Sequence, residues 1–214
     1  MKRFRFTTVI ALASLMLFTA GLAGCRNKAE ADRDAYERIQ NALLTMTGYA
    51  AEATVTYISN KSQHTYQVRQ QARMSGEYRI EVTGPERVAG NITVSDNKTI
   101  TQFNTRVQGR FSVLPDEAPE RLELFVTSFV KNYLRSQEVT ISVASVGESL
   151  CTVLEATIPG EHPYLRTEKL WVSNTTHKPV KLSIYDPDGV ERVTVTFESF
   201  EFNVDFDDSV FRMQ

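Results

Sequence analysis

From residue 50 onward, apolar and polar side chains alternate with a period of two, the pattern of strands that bury one face. Six such runs follow one another: Ala51 to Ile58, Gln63 to Met74, Glu77 to Thr83, Ala89 to Ser95, Lys98 to Phe103 and Val107 to Val113. Short polar breaks at Asn60-Lys61, Ser75-Gly76, Gly84-Pro85 and Asp96-Asn97 predict tight turns, and hence an antiparallel meander. The second run carries Thr65, Gln67, Arg69 and Gln71 on one face and the mixed set Tyr66, Val68, Gln70 and Ala72 on the other. That end of the sheet is expected to be solvated or to line something wet. Alternation resumes at Glu138 to Val146 and Leu150 to Ile158, and continues through Leu170 to Val172, Val180 to Tyr185 and Arg192 to Phe202. In the last of these, Val193, Val195 and Phe197 oppose Thr194, Thr196 and Glu198. Asp186-Pro187-Asp188-Gly189 predicts the turn before it, because proline presets φ and glycine accepts a positive φ. A final short strand is expected at Val210 to Met213.

Two stretches follow the helical period instead. From Asp32, Tyr36, Ile39, Leu43 and Met46 recur at spacings of three and four, with Gly48 as a stop. Residues 119 to 135 place Leu122, Phe125, Val126, Phe129, Val130, Tyr133 and Leu134 on a broad apolar face, with Pro119 at a first-turn position. The fold class is therefore mainly β with two helices, with about eleven strands in a curled antiparallel sheet. If the sheet does not close, the amphipathic helices are available to plug it, giving a half-open β-barrel with a helical lid. Residues 32 to 214 are expected to form a single domain, since no linker long enough to divide them is present.

The N-terminus reads as a processing segment. Lys2, Arg3 and Arg5 precede an apolar core, Thr7 to Ala20, too short for a comfortable membrane span. Leu22-Ala23-Gly24-Cys25 then matches the bacterial lipobox, which makes residues 1–24 a signal peptide, Cys25 the acylated residue and residues 25–31 an anchor and tether. Two or more acyl chains hold a protein stably on a membrane, at about 0.8 kcal/mol per buried methylene. The expected location is the cell membrane, on its extracytoplasmic face. With Cys25 acylated, Cys151 has no partner for an internal disulfide and is expected to be a small buried hydrophobe.

Charge and motifs remove several function classes. The net charge is −2, with 24 basic and 26 acidic residues interspersed, so nucleic acid is not an expected partner. His64, His162 and His177 are far apart and lack metal-ligand spacing, and no G-x-S-x-G, P-loop or G-x-G-x-x-G is present. Asp205, Asp207 and Asp208 read as a solvated turn rather than a calcium loop. No catalytic residue, metal site or cofactor is expected, and the chain reads as a binding protein rather than an enzyme. Candidate cavity or lid residues are Leu122, Phe125, Val126, Phe129 and Tyr133, with Trp171 expected to point inward. Whether they complete the core or touch a ligand is left open by the pattern.

The ordered series Leu-Trp-Val, a polar turn, Lys-Pro-Val-Lys, Tyr-Asp-Pro-Asp-Gly, Val-Thr-Phe and Asp-Asp-Ser-Val-Phe, spread over residues 170 to 211, resembles the C-terminal half of the LolA/LolB-like lipoprotein-carrier superfamily. The resemblance implies an incomplete barrel whose helical lid encloses a hydrophobic cavity for lipid acyl chains. It also implies a lid latch, an arginine ending an early strand, for which Arg73 stands at the matching place. Met74 and the segment Ser95-Asp96-Asn97-Lys98 depart from the superfamily's pattern beside it. A lipobox excludes the soluble shuttle and leaves anchored members, among which the chain is similar to the GerS-like germination and sporulation lipoproteins of Gram-positive spore formers. Two functions follow as expectations. One is a non-enzymatic envelope lipoprotein whose barrel binds acyl chains, a lipoprotein or an envelope protein. The other is a scaffold or regulatory lipoprotein of spore germination or sporulation that binds a cortex-processing enzyme. An edge strand left by incomplete closure would also allow a homodimer.

Overall fold

The structure, a computed structural model, describes residues 32–115 and 122–213. Helix α1 covers residues 32–44, and its stripe of Ala35, Ile39 and Leu43 is buried, as is Met46 beyond it. Six strands follow in a simple meander: β1 (Gly48–Ile58), β2 (Gln63–Arg73), β3 (Tyr78–Gly84), β4 (Ile92–Ser95), β5 (Ile100–Asn104) and β6 (Gly109–Val113). A turn of 3-10 helix (Leu122–Leu124) leads into α2 (Val126–Arg135). A second meander then comprises β7 (Thr140–Val146), β8 (Ser149–His162), β9 (Leu165–Ser173), β10 (Pro179–Tyr185) and β11 (Glu191–Phe202).

The two meanders are joined by one pairing, β1 with β11, with Tyr49 opposite Phe202 and Tyr57 opposite Val193. The result is one antiparallel sheet of eleven strands, in the order β6-β5-β4-β3-β2-β1-β11-β10-β9-β8-β7. Its ends, β6 and β7, do not pair, so the sheet stays open as expected. Register shifts at Glu52/Ala53, Gln67/Val68 and Ile184/Tyr185 insert the bulges that bend strands and increase twist. The concave face carries Ala51, Ala53 and Val55 from β1, Leu170 and Val172 from β9, Leu182 and Ile184 from β10, and Val193, Val195 and Phe197 from β11. Both helices bury their apolar stripes in the same cluster, through Ile39 and Leu43 of α1 and Val126, Phe129 and Val130 of α2. Cys151 is buried and unpaired, the small core residue anticipated for it.

Three local expectations change. The expected helix over 119–135 is shorter: Phe125 is extended (φ −109, ψ 135), and α2 begins only at Val126. The part of that expectation covering 119–121 lies outside the described residues, as do the signal peptide and Cys25. The expected strand at Val210 to Met213 is instead part of a 3-10 turn (Asp208–Phe211), because the Asp207 side chain accepts a hydrogen bond from the Ser209 amide and closes the turn. The strand expected at Leu170 to Val172 begins five residues earlier, at Leu165.

Candidate functional site

The site is built on one cross-strand row. His64, Tyr57, Val193, Ile184, Glu168 and Ala156 are successive register partners from β2 across to β8. Beyond this row the β1–β2 turn and the β8–β9 hairpin bound a cleft of 870 Å³, lined by residues that include Tyr57, Lys61, His64, Glu123, Tyr164 and Arg192. A recess of 430 Å³ shares Tyr57 and His64 with it and is lined further in by Val55, Tyr66, Val68, Ile80, Val82 and Leu124. The recess is thus almost wholly apolar, and the mouth is aromatic and polar. Arg192 is tied at the mouth by Asp186 at 2.6 Å and Asn60 at 2.7 Å. Burial pushes the Asp186 carboxyl up, but the backbone amides of Val190 and Asp188 and the Arg192 guanidinium outweigh it and hold that carboxyl below the usual carboxylate range.

The leading turn of the lid forms one wall of this space, and a buried hydrogen-bond chain holds it there. The Tyr49 hydroxyl donates to Gln70 Oε1 at 2.8 Å, and Gln70 Nε2 donates to the Leu124 carbonyl at 3.1 Å. The Val126 amide donates to the Tyr49 hydroxyl at 3.3 Å. Phe125, the residue preceding α2, offers no side-chain cap. A strand residue therefore accepts from one of the amides that a helix start leaves free. Burial raises the Tyr49 pKa well above that of an ordinary phenol, so the hydroxyl keeps the proton it donates.

Farther along α2, Asn132 Nδ2 donates to Glu168 Oε1 at 2.8 Å, while Glu168 Oε2 meets no hydrogen-bond partner among the described residues. Glu168 is fully buried on the concave face. Its burial pushes the carboxyl up to about 7, against the pull of the Asn132 bond and with a push from Glu123.

The expected site residues divide among different environments. Val126 and Phe129 are fully buried and Phe125 nearly so, with Phe125 tilted against Tyr78 at 5.0 Å. Tyr133 is half-buried, stacked on Phe129 at 5.8 Å and beside Tyr36 of α1. These side chains fill the concave face under α2 rather than lining an opening. Leu122 is exposed. Trp171 lies between Leu170 and Val172, both at 0 % exposure, so strand alternation turns it to the opposite face. There Lys181 sits 4.8 Å above its ring, and the inward orientation expected of Trp171 is corrected.

The same alternation corrects Arg73. Val68, Gln70 and Ala72 of β2 face the core, so Arg73 points away from the lid. It binds Asp208 at 2.7 Å, donates to the Phe206 carbonyl and lies 4.8 Å from the Phe211 ring centroid, which makes it the clasp of the C-terminal segment. The hydrogen bonds that hold the start of α2 to the sheet come instead from Tyr49 and Gln70. One signal for Gln70 was present: it is the lone amide on the otherwise apolar face of the second strand.

A family model for YdcC-like sporulation proteins matches residues 5–211. The chain belongs to the YdcC-like sporulation protein family. This agrees with the expected placement among sporulation-associated members. No curated protein matches it. An uncharacterized conserved protein from Thermus thermophilus shares the fold, at 11% identity and TM-score 0.53 over 86% of this chain and 93% of that one. A chain in the complex of the CwlD amidase with the GerS lipoprotein from Clostridioides difficile is 29% identical, with TM-score 0.48 over 80% of this chain and 95% of its own. A LolA superfamily protein from Nitrosomonas europaea aligns with TM-score 0.44 at 11% identity over 85% and 97% of the two chains. Among the described residues of this YdcC-like chain, no group of three His, Cys, Asp or Glu side chains is arranged to hold a metal ion.

Proposed function

We propose that this chain is a lipoprotein of the sporulating cell, anchored through Cys25 on the extracytoplasmic face of the membrane, that acts without catalysis by binding an envelope protein along the β7 edge. The observation that carries this reading is β7 itself. It ends the sheet, every residue from Thr140 to Ser145 is exposed, and Val139, Ile141, Val143 and Leu150 present apolar side chains there. Edge strands of soluble proteins are ordinarily guarded by charge, proline or a covering element, and Thr140–Val146 has no charged residue or proline. An extended segment of a partner can add to such an edge by main-chain hydrogen bonds, with side-chain contacts supplying specificity. A cortex-processing enzyme suits the sporulation family, and a second copy of the chain is the competing occupant. Replacing Ile141 and Val143 by lysine should leave folding intact, since both are exposed, and should fail to restore sporulation when supplied to a deletion strain. Full complementation by the double variant at normal abundance would sink the proposal.

A second reading is supported by the cleft and its apolar recess. It makes the protein a carrier or sensor of lipid acyl chains. Mass spectrometry of lipids extracted from the purified domain, residues 26 to 214, separates the two. Stoichiometric acyl lipid favours the carrier, and none after incubation with phospholipid or lipoprotein favours the protein-binding module.

A further inference from the structure

The path of α1 locates the end of the domain from which the anchor leaves. The Thr47 amide donates to Asn203 Oδ1 at 2.8 Å, and Gly48 opens β1, so the C-terminal end of α1 sits at the end of the sheet opposite the cleft. Toward its N-terminus, α1 comes beside α2, where Tyr36 neighbours Tyr133 and both pack against the core cluster. This part of α2 lies over the cross-strand row, because Asn132 bonds Glu168, and the Ser136 hydroxyl accepts from the Thr157 amide at 3.2 Å. Residue 32 is one helical turn farther in the same direction, about 6 Å along the axis. The chain therefore enters the domain at the end where the β1–β2 turn and the β8–β9 hairpin project and the cleft opens.

From this we infer that the cleft end is the surface applied to the bilayer, with the tip of the β8–β9 hairpin and the β1–β2 turn as its contact points. The inference rests on the acylation of Cys25 proposed above. Six residues, 26–31, lie between Cys25 and Asp32, so the seven Cα-to-Cα steps reach at most about 25 Å. A tether of that length limits how far this end can stand from the lipid. The tip chemistry suits the interface. Tyr164 is 57% exposed beside Pro163, and tyrosine favours the headgroup level with its ring in the apolar layer and its hydroxyl in water. Lys61 and Arg166 are also exposed there, but so are Glu161 and Asp188. Charge alone therefore does not draw this end to an anionic surface, and the tether sets the orientation. The strands then stand away from the membrane, and β7 presents its edge sideways to a partner.

The test uses the full lipidated chain in phosphatidylcholine–phosphatidylglycerol vesicles with a spin label on a fraction of the headgroups. Single cysteines Tyr164→Cys and Lys61→Cys report the proposed contact end, and Ser75→Cys and Thr175→Cys the opposite end, all in a Cys151→Ala background and labelled with a small fluorophore. Fluorescence at 164 and 61 should be quenched several-fold more than at 75 and 175. Equal quenching at all four positions, or stronger quenching at 75 and 175, overturns the orientation. The mass of the mature N-terminal peptide is read on the same sample. An unacylated Cys25 overturns the anchor and this inference together, whereas an acylated Cys25 without the quenching asymmetry overturns the orientation alone.

Discussion

Glu168 is the group whose replacement most directly tests how the lid is seated. It is fully buried between α2 and the sheet, with one oxygen bonded to Asn132 and the other without a hydrogen-bond partner among the described residues. Unfolded, it titrates near 4.5; folded, its burial holds the proton up to about 7. Between those values the folded chain keeps a proton that the unfolded chain releases. The contribution is therefore fully present below about pH 4.5, is lost as pH rises through about 7, and is flat above that. At about 1.4 kcal/mol per pH unit, the loss across the window is about 3 kcal/mol. Glu168→Gln keeps the shape and an acceptor for Asn132 but cannot ionise. It should match the wild type near pH 4.5 and be more stable by about 3 kcal/mol at pH 8, on the order of the shift that sets the window.

Urea unfolding of both proteins from pH 4.5 to 8.5 measures this. Carboxylates held below their usual range, such as Asp96 and Asp186, contribute the opposite slope at more acid pH in both proteins and cancel in the difference. A stability difference that does not vary with pH would refute a buried, protonated Glu168 at the lid seat. So would one that grows toward acid.

Two further substitutions separate the latch from the clasp. Gln70→Leu leaves the Leu124 carbonyl and the Tyr49 hydroxyl without their buried partner, so it should cost about 1–3 kcal/mol and speed hydrogen exchange at the start of α2; unchanged exchange at Val126 would show that the chain from Tyr49 does not hold the lid. Arg73→Ala removes the contacts to Phe206, Asp208 and Phe211. It should expose the C-terminal segment to chymotrypsin near Phe206, at a cost of about 1–2 kcal/mol. It should leave exchange in α2 unaltered, and faster exchange there would restore Arg73 as a lid latch.

The order of elements was legible because period two and period 3.6 are local properties of the chain. β1, β2, β10 and β11 lie within a few residues of where alternation places them, while α1 ends at residue 44, short of Met46 and of the expected stop at Gly48, which opens β1 instead. Alternation fails where a strand carries a functional polar group on its buried face. Glu168 interrupts the apolar positions that Leu170 and Val172 continue, and β9 therefore reads as three residues when it has nine. The start of α2 was illegible for a related reason: its free amide is met by Tyr49, 77 residues away in sequence.

By itself, then, the sequence determined an antiparallel β protein with two amphipathic helices, since period two and period 3.6 are each written in residues close together along the chain. Only the tertiary structure decided which way each side chain faces and what meets it. Hydrophobicity could not say that Trp171 lies on the far face, because that depends on the parity of Leu170 and Val172. The position of Arg73 suggested a latch, yet one step along a strand reverses direction and sends it to the C-terminal segment. The pairing of β1 with β11 brings residues from opposite ends of the chain together, and that long-range contact sets Tyr57 beside Val193 at the cleft.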